Sequence, residues 1–339
     1  MKRRIFIKDL AIMYGLSCID LLSDQSSLDF IFGHGNRKYR WVENWANQNT
    51  KLPVNDCHEM VFNRNGEIML LTNETKNNII VFDKDGNIKN SWGNNFPGGH
   101  GLSIHGEDEQ TLFITDTEKH QFYQYSIDGK LIRSWDAPIE TGKYTVNSSF
   151  VPTETAITKE GEIYVADGYG AQFITHYDEK GNVKNIFGGR GDEEKHLDNA
   201  HGICIDYRNE VPTLIVTDRN KCCFKRFSMQ GQYIETISIP GANVCRPVIK
   251  GQYLYAAVLT TDYTGNTNSG FVIILDKNNK LVSAIGGSTP LYVNGKCKKM
   301  YQTVQLFKHP HDIMVDDEES IYVCQWNSGK VYPYKFTLI

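Results

Sequence analysis

Short apolar segments separated by polar turns fill the chain after residue 50, and they follow one repeating order. In each copy, two apolar strands precede an Asp or Thr in a polar loop. A third strand, an Asp-Gly-type turn and a fourth strand ending in Trp or Phe-Gly complete the unit. Such runs, bounded by turn residues and lacking helical periodicity, predict β-strands. The six copies begin at His58, His100, Thr153, His201, near Arg246 and at His311.

The turns between the third and fourth strands recur in step with the strands. They contain Asp85-Gly86, Asp128-Gly129, Lys180-Gly181 and Gln230-Gly231, dipeptides that supply the positive φ of a tight hairpin. A four-stranded unit of about 45–55 residues is typical of a propeller blade. The predicted fold class is therefore all-β, a six-bladed β-propeller of four-stranded blades.

Closure of the ring is expected to involve the N-terminal part of the chain. The last copy ends at Ile339 after its third strand, and residues 29–35 match the fourth-strand pattern of residues 186–191. An N-terminal strand that completes the sixth blade hides the edge strands that an open sheet leaves unpaired. Residues 28–339 are thus predicted to form a single propeller domain.

The first 22 residues differ from the repeats. A positively charged start precedes an apolar run from Leu10 to Leu22 that Asp20 interrupts, and Arg3-Arg4 followed by Ile-Phe-Ile-Lys resembles a twin-arginine signal. Residues 1–22 are expected to be an export signal, which predicts a periplasmic or extracellular protein; the alternative is an N-terminal helix packed on the domain. No other run approaches the ~20 apolar residues of a membrane span, so none is expected in the mature domain.

Composition and charge limit the kinds of molecule that the protein is expected to bind. The 36 Lys and Arg residues nearly balance the 40 Asp and Glu residues, which gives no electrostatic basis for binding nucleic acid. A 40% hydrophobic fraction supports a large core. Most of the eight cysteines are expected to be buried free thiols, and a monomer acting on a small-molecule or peptide substrate is expected.

Three histidines carry the strongest chemical signal. His100, His201 and His311 each begin an innermost strand, at intervals of two blades. Alternate blades of a six-membered ring are about 120° apart, so these imidazoles are predicted to converge in the channel. Three His ligands with an open fourth position describe a catalytic zinc site, although Fe, Mn, Co or Cu also accept imidazole. The alternative is that a His-Gly pair merely suits the start of these strands.

Other candidate residues lie at the same end of the repeats. His58 starts blade 1 and breaks the alternation, which favours a supporting or structural role, and His309 is expected to point away from His311. Tyr169 is a candidate general base, and Arg219 is a candidate binder of a substrate anion. For both, the alternative is an ordinary turn residue.

These residues resemble a known family. The chain from about residue 55 resembles NHL-type propellers, and especially the lyase domain of peptidyl-α-hydroxyglycine α-amidating lyase. The resemblance implies that His100, His201 and His311 are zinc ligands, that Tyr169 is the general base and that Arg219 is a pocket cation. It also implies a structural calcium bound by Asp312 with the carbonyls of Leu102 and Met60. The matching stretches are Gly99–Ile104, Thr115–Phe122, Ala166–Tyr169, Ala200-His201, Val216–Arg219 and His309–Ile313.

The chain departs from the family pattern at three positions. Asn73 stands where an Arg would hold the substrate carboxylate, His309 where a Met precedes the last zinc ligand, and Gly170 where a Cys follows the Tyr. The expected function is a metal-dependent lyase or hydrolase with an unassigned substrate. The alternatives are a non-catalytic binding propeller and a calcium-dependent, lactonase-like propeller, which would need carboxylate and carbonyl oxygens.

Overall fold

A computed structural model describes residues 30–46, 52–145, 150–261 and 268–339. The chain divides into two units, residues 1–30 and 31–339, and every described strand lies in the second. The predicted export signal, residues 1–22, lies outside the described residues. No described helix is long and apolar enough to cross a membrane.

The first half of the ring contains three blades, each an antiparallel sheet of four strands in sequence order. Two strands precede them, β1 (Ile31–His34) and β2 (Arg37–Val42). Blade 1 comprises β3 (Cys57–Phe62), β4 (Ile68–Thr72), β5 (Ile79–Phe82) and β6 (Ile88–Trp92). Blade 2 comprises β7 (Gly99–His105), β8 (Thr111–Asp116), β9 (Gln121–Ser126) and β10 (Leu131–Trp135). Blade 3 comprises β11 (Glu154–Ile157), β12 (Ile163–Ala166), β13 (Phe173–Tyr177) and β14 (Val183–Gly188).

The second half of the ring repeats the arrangement. Blade 4 comprises β15 (Ile203–Asp206), β16 (Thr213–Asp218), β17 (Cys223–Ser228) and β18 (Tyr233–Ser238). Blade 5 comprises β19 (Val248–Lys250), β20 (Tyr253–Val258), β21 (Phe271–Leu275) and β22 (Leu281–Ile285). A small hairpin follows, β23 (Tyr292–Val293) with β24 (Lys296–Cys297), and blade 6 contains β25 (Pro310–Val315), β26 (Ile321–Gln325) and β27 (Tyr334–Leu338). Two 3-10 helices are described, Ile139–Thr141 and Arg219–Lys221.

Closure by an N-terminal strand is confirmed, but the closing strand is not the segment that the sequence indicated. β2, residues 37–42, pairs with β27 and completes blade 6, while β1 adds a fifth strand outside it. The reason is visible in burial: Tyr39 of β2 is fully buried in the core between blades 5 and 6, whereas Ile31 of β1 is 48% exposed. Gly35, at φ +60°, turns the chain between the two strands.

Two of the repeated motifs contact each other between blades. In blades 1 to 3, the aromatic residue near the end of the fourth strand covers the glycine turn of the next blade: Trp135 of blade 2 lies so close to Gly181 of blade 3 that an added Cβ would be 2.6 Å from its ring. Trp135 Nε1 also donates a hydrogen bond to the Gly181 carbonyl at 3.2 Å. The same contact joins Trp92 to Gly129 and Phe187 to Gly231. Glycine is therefore required at these turns for two reasons: a Cβ would clash with the aromatic ring, and the backbone φ is positive.

The apolar core lies mainly between neighbouring blades, where second and third strands bury their side chains. Leu70 and Ile80 of blade 1, for example, are fully buried. The seven cysteines among the described residues form no disulfide, as the sequence predicted for most of them. The expectation of a monomer stays a prediction.

Candidate metal centre and catalytic site

The three histidines at two-blade intervals lie together. His100 is in β7, His311 is in β25, and His201 lies two residues before β15, and all three are at most 3% exposed. Their ring centroids are 4.7 Å apart for His100 and His201, and 4.8 Å apart for each pair that includes His311. The rings thus form a nearly equilateral triangle, as the symmetry of alternate blades predicts. Their role as metal ligands stays a prediction.

A fourth imidazole joins this cluster. His58 of β3 has its ring 5.1 Å from that of His100 and 4.8 Å from that of His311. One nitrogen from each of His58, His100 and His311 lies within 4.8 Å of the others. His58 departs from the two-blade interval of the other three histidines. Blade 1 nevertheless lies between blades 6 and 2, so His58 is beside His311 and His100. His58, His100 and His311 thus have nitrogens close enough to bind one ion, and His201 lies beside them with its ring 4.7 Å from that of His100.

Hydrogen bonds orient two of the rings. Nδ1 of His100 lies 2.8 Å from the Thr153 carbonyl, and Nδ1 of His311 lies 3.4 Å from the His58 carbonyl. Because a carbonyl only accepts, each Nδ1 carries the proton and each Nε2 keeps its lone pair. Metal-binding histidines are commonly held in this way.

His201 carries a separate indication of a bound ion. Neither of its ring nitrogens has a hydrogen-bond partner among the described residues, although the side chain is buried. A buried polar atom without a partner costs about 1–3 kcal/mol, so such atoms normally bind something. An ion held by the neighbouring imidazoles would satisfy one of these nitrogens.

Burial keeps the cluster neutral. Desolvation, followed by unfavourable interactions of a protonated ring with Arg219 and the other imidazoles, lowers the pKa of His100, His201 and His311 well below the ordinary value of 6.5. Burial also lowers the pKa of His58 to about 4. Neutral imidazole is the form that binds a metal, so the site offers its lone pairs at neutral pH.

Irregular pairing explains how the inner strands aim these side chains. The register of β3 with β4 shifts between Cys57 and Glu59, and that of β25 with β26 shifts between Pro310 and Asp312. His58 and His311 therefore each occupy a β-bulge, and His100 lies in a similar shift between Gly99 and Leu102. Bulges are common beside functional sites because they redirect a side chain.

The glycines that follow two of the histidines are needed for packing. A Cβ on Gly101 would lie 2.6 Å from the Thr153 carbonyl oxygen, and one on Gly202 would lie 2.5 Å from Cα of Arg246. Both contacts are with the next blade. The His-Gly pair thus allows neighbouring inner strands to approach closely. Glycine serves this packing role while the histidines cluster, so the two features occur together.

Tyr169 connects the histidines to solvent. Its hydroxyl lies 3.2 Å from Nε2 of His100, and its ring is 5.6 Å from that of His201, yet the residue is 43% exposed. A hydroxyl in that position can contact both a bound substrate and the imidazole cluster. The predicted general base is therefore beside the predicted metal site.

Arg219 lies behind Tyr169 and is 2% exposed. Its Nε donates to the Val244 carbonyl at 3.3 Å, its Nη2 contacts Sγ of Cys245 at 3.2 Å, and it hydrogen-bonds the Tyr169 side chain. Burial opposes its charge, but Cys245 and Tyr169 outweigh this effect and raise the pKa of Arg219 above its ordinary value. A buried guanidinium in this position holds the Tyr169 side chain. The expectation that Arg219 also binds a substrate anion stays a prediction.

Asp167 fixes the loop that carries Tyr169. Its carboxylate accepts hydrogen bonds from the Tyr144 hydroxyl at 2.8 Å and from the backbone amides of Val151 and Ala171, both at 2.6 Å. Burial raises the pKa of Asp167 to about 6, although these hydrogen bonds lower it in part. Tyr144 could not be identified from the sequence, because it lies in an irregular segment between blades 2 and 3.

Two departures from the family pattern have local roles. Asn73 accepts hydrogen bonds from the Asp56 amide at 2.9 Å and from Asn55 at 3.0 Å, and donates to the Asp56 carboxylate at 3.2 Å. It therefore organises the loop before β3 and offers no positive charge to a substrate. The ring of His309 packs on Trp326, with centroids 5.5 Å apart.

The residues implied for structural calcium surround an arginine. Both carboxylate oxygens of Asp312 accept hydrogen bonds at 2.9 Å from Arg246. The backbone amide of Met60 donates to Asp312, and the amide of Leu102 donates to Glu59. Burial, followed by repulsion from Glu154 and Asp312, raises the pKa of Glu59 well above its ordinary value, although Arg246 opposes this. Carboxylate oxygens are the ligands that calcium prefers, but here both oxygens of Asp312 are bound by Arg246. The calcium site implied by the resemblance stays a prediction.

Comparison with known proteins agrees with the fold and with the resemblance. No protein-family model matches the chain. The sequence is 24% identical over 278 residues to peptidyl-alpha-hydroxyglycine alpha-amidating lyase 1 of Drosophila melanogaster, covering 74% of this chain and 47% of that protein. It is 33% identical over 113 residues to lyase 2 of the same organism, covering 32% of this chain and 27% of that protein. The chain thus spans about half the length of the first relative, and less of the second.

Solved structures share the architecture at low sequence identity. A gluconolactonase from Xanthomonas campestris has a TM-score of 0.60 at 11% identity, with 96% of this chain and 99% of that chain covered. A streptogramin B lyase has a TM-score of 0.57 at 13% identity, with 86% and 96% covered. A virginiamycin B lyase from Staphylococcus aureus has a TM-score of 0.54 at 16% identity, with 90% and 88% covered. The chain is a six-bladed β-propeller with a cluster of buried histidines in its channel, and in sequence it resembles the peptidyl-α-hydroxyglycine α-amidating lyases.

Proposed function

We propose that this chain is a metal-dependent lyase that breaks the C–N bond of N-acyl hemiaminals, compounds in which an amide nitrogen carries a hydroxyl-bearing carbon. The single observation that carries the proposal is the buried cluster of four neutral imidazoles, in which both nitrogens of His201 lack a partner, beside the hydroxyl of Tyr169. The resemblance to amidating lyases supports the reaction class.

His100, His201 and His311 would hold a divalent transition metal, zinc in the first instance, and His58 is a further candidate ligand. When bound, such an ion supplies Lewis acidity that polarises a substrate oxygen and favours its deprotonation. The chain contributes the neutral ligands and a site largely closed to water, in which charges interact more strongly than in solution.

Tyr169 would act as the base in its phenolate form. It takes the proton of the substrate hydroxyl, the C–O bond becomes a carbonyl as the C–N bond breaks, and Tyr169 returns that proton to the departing amide nitrogen, which restores the phenolate. The products are a primary amide and an aldehyde. Arg219 stabilises a phenolate at Tyr169 through its positive charge and holds the ring in place. A general base of this kind contributes about 10²–10⁴-fold to the rate.

The environment of Asn73 favours a broad substrate class. In a peptidyl-α-hydroxyglycine the hydroxyl-bearing carbon also has a carboxylate, which a guanidinium would bind through two hydrogen bonds. Asn73 is neutral and is engaged with Asp56. Neutral hemiaminals should therefore react about as well as acidic ones.

The test uses zinc-loaded protein and two matched substrates, N-benzoyl-α-hydroxyglycine and N-(hydroxymethyl)benzamide, with release of benzamide as the readout. We expect both to react, with Tyr169→Phe reducing kcat by about 10²–10⁴-fold while zinc content stays unchanged. Asn73→Arg should raise kcat/KM for the acidic substrate alone.

Absence of benzamide release above the buffer rate with both substrates would reject the lyase. The second candidate, a non-catalytic binding propeller, is favoured by the missing cation at position 73. Under it, Tyr169→Phe would have no catalytic effect to measure.

A further inference from the structure

A second cluster of charged residues lies on the inner strands, next in sequence to two of the histidines. Glu59 of β3, Glu154 of β11 and Asp312 of β25 are each at most 2% exposed, and they come from blades 1, 3 and 6. Arg246, which precedes β19 of blade 5, contacts all three. Its Nε lies 3.1 Å from Glu59, 3.6 Å from Glu154 and 2.9 Å from Asp312, and its Nη2 lies 2.9 Å from Asp312.

Buried carboxylates from separate strands are what a protein normally uses to hold a hard divalent cation. Here the guanidinium takes that place. It binds both oxygens of Asp312 in a fork that a carboxylate matches well. A divalent ion on the same oxygens would lie within about 4 Å of the guanidinium, where like charges repel strongly at low dielectric.

The chain is built around this arginine. Gly202 has no side chain where a Cβ would lie 2.5 Å from Cα of Arg246, so blade 4 leaves space for the backbone of blade 5. Thr155 N and Ser103 Oγ contact Glu154 Oε1 at 2.8 and 3.4 Å, and the amide of Leu102 donates to Glu59. These donors leave Glu154 Oε2 without a hydrogen bond among the described residues, on the side facing Arg246.

We propose that Arg246 is a built-in cation that fills a latent divalent-metal site formed by Glu59, Glu154 and Asp312, and that it joins four blades without calcium. Removing the guanidinium while keeping the carboxylates therefore converts the cluster into a calcium site. The proposal does not depend on the proposed reaction, because it concerns only the ion pairs around Arg246.

The test measures thermal unfolding of metal-free protein with and without about 1 mM calcium, a concentration suited to a modest oxygen-ligand site. The wild type should shift by less than about 1 °C. Arg246→Ala should have a lower Tm without calcium and should recover at least about 4 °C with it. If Arg246→Ala does not fold without calcium, we would refold it with and without calcium and measure the yield of soluble folded protein. Calcium is expected to increase that yield.

Two further variants make the result specific. Arg246→Ala combined with Glu154→Gln should lose most of the calcium response, because one carboxylate is neutral. Arg226→Ala is the matched control: this buried arginine pairs with Asp206 and Glu235, both at 2.8 Å, so its loss should lower Tm without creating a calcium response.

A calcium-induced shift in the wild type would overturn the proposal, as would an Arg246→Ala variant that ignores calcium in both unfolding and refolding. Adding zinc instead of calcium tests the histidine cluster separately, so failure of one site does not imply failure of the other.

Discussion

Replacement of His201 with leucine tests whether His201 is a metal ligand or only a packing residue, because the two roles predict different changes in the free energy of unfolding. In metal-free protein both ring nitrogens are buried without a partner, and each such atom costs about 1–3 kcal/mol. Leucine fills a similar volume and has no polar atom. We therefore expect metal-free His201→Leu to be more stable than the wild type by about 2 kcal/mol, which raises Tm by a few degrees in a chain of this size.

Zinc should reverse the order. A ligand present at 100 times its Kd stabilises the folded state by about 2.7 kcal/mol, so the wild type gains this amount. The variant has lost one ligand and is expected to gain less than about 0.7 kcal/mol. The assay is differential scanning calorimetry of both proteins with a chelator and with a zinc buffer. His176→Leu is the control: this buried histidine is paired with Glu162 at 2.9 Å, so its replacement should lower stability and leave the zinc response intact.

An unchanged zinc response in His201→Leu would refute its assignment as a ligand. If the response is then lost in His58→Leu, the ion is held by His58, His100 and His311, the triad whose nitrogens lie within 4.8 Å of one another. If neither substitution affects it, the cluster is not the zinc site.

Three further outcomes follow from the same contacts. Burial raises the pKa of Asp167 to about 6, so protonated Asp167 stabilises the folded state below about pH 4, and this stabilisation is lost as pH rises through 6. Relative to Asp167→Asn, the free energy of unfolding measured by urea titration should therefore fall by about 3 kcal/mol over that interval. Gly202→Ala should cost about 1–3 kcal/mol and weaken zinc binding, because its Cβ meets the backbone of the next blade; equilibrium unfolding and a zinc titration measure the two effects. Gly181→Ala should cost at least about 1 kcal/mol more than Gly251→Ala in the same unfolding assay, because both have positive φ but only Gly181 is covered by an aromatic ring.

The fold could be predicted from sequence because each blade repeats its own local pattern. Strand, turn and closing aromatic recur with enough regularity to number the blades, and the interval between His100, His201 and His311 then fixes their angular positions. The closing strand was harder to assign, since residues 31–34 and 37–42 are both short strands joined by a tight turn. In the folded chain they differ in pairing, because residues 39–42 pair with β27 and residues 31–34 pair with β2, and Tyr39 is fully buried against the neighbouring blade.

The remainder of the centre depends on contacts that a repeat pattern does not contain. Because His58 breaks the two-blade interval, the sequence favours only a supporting or structural role for it, yet blade 1 is adjacent to the blades of His100 and His311. Arg246 precedes a short strand of three residues, β19, and nothing around it in the sequence identifies the three acids that it contacts. Those acids come from positions 59, 154 and 312, and only closure of the ring brings them together.

The β-bulges explain how adjacent residues of one strand can serve two different sites. In a regular strand neighbouring side chains point to opposite faces, so His58 and Glu59, or His311 and Asp312, would not both belong to the channel. The register shifts at these positions remove that restriction. One residue of each pair then joins the neutral imidazoles, and the other joins the three carboxylates that contact Arg246. Under the two proposals, the imidazole group takes an ion from solution, whereas the guanidinium occupies the carboxylate group.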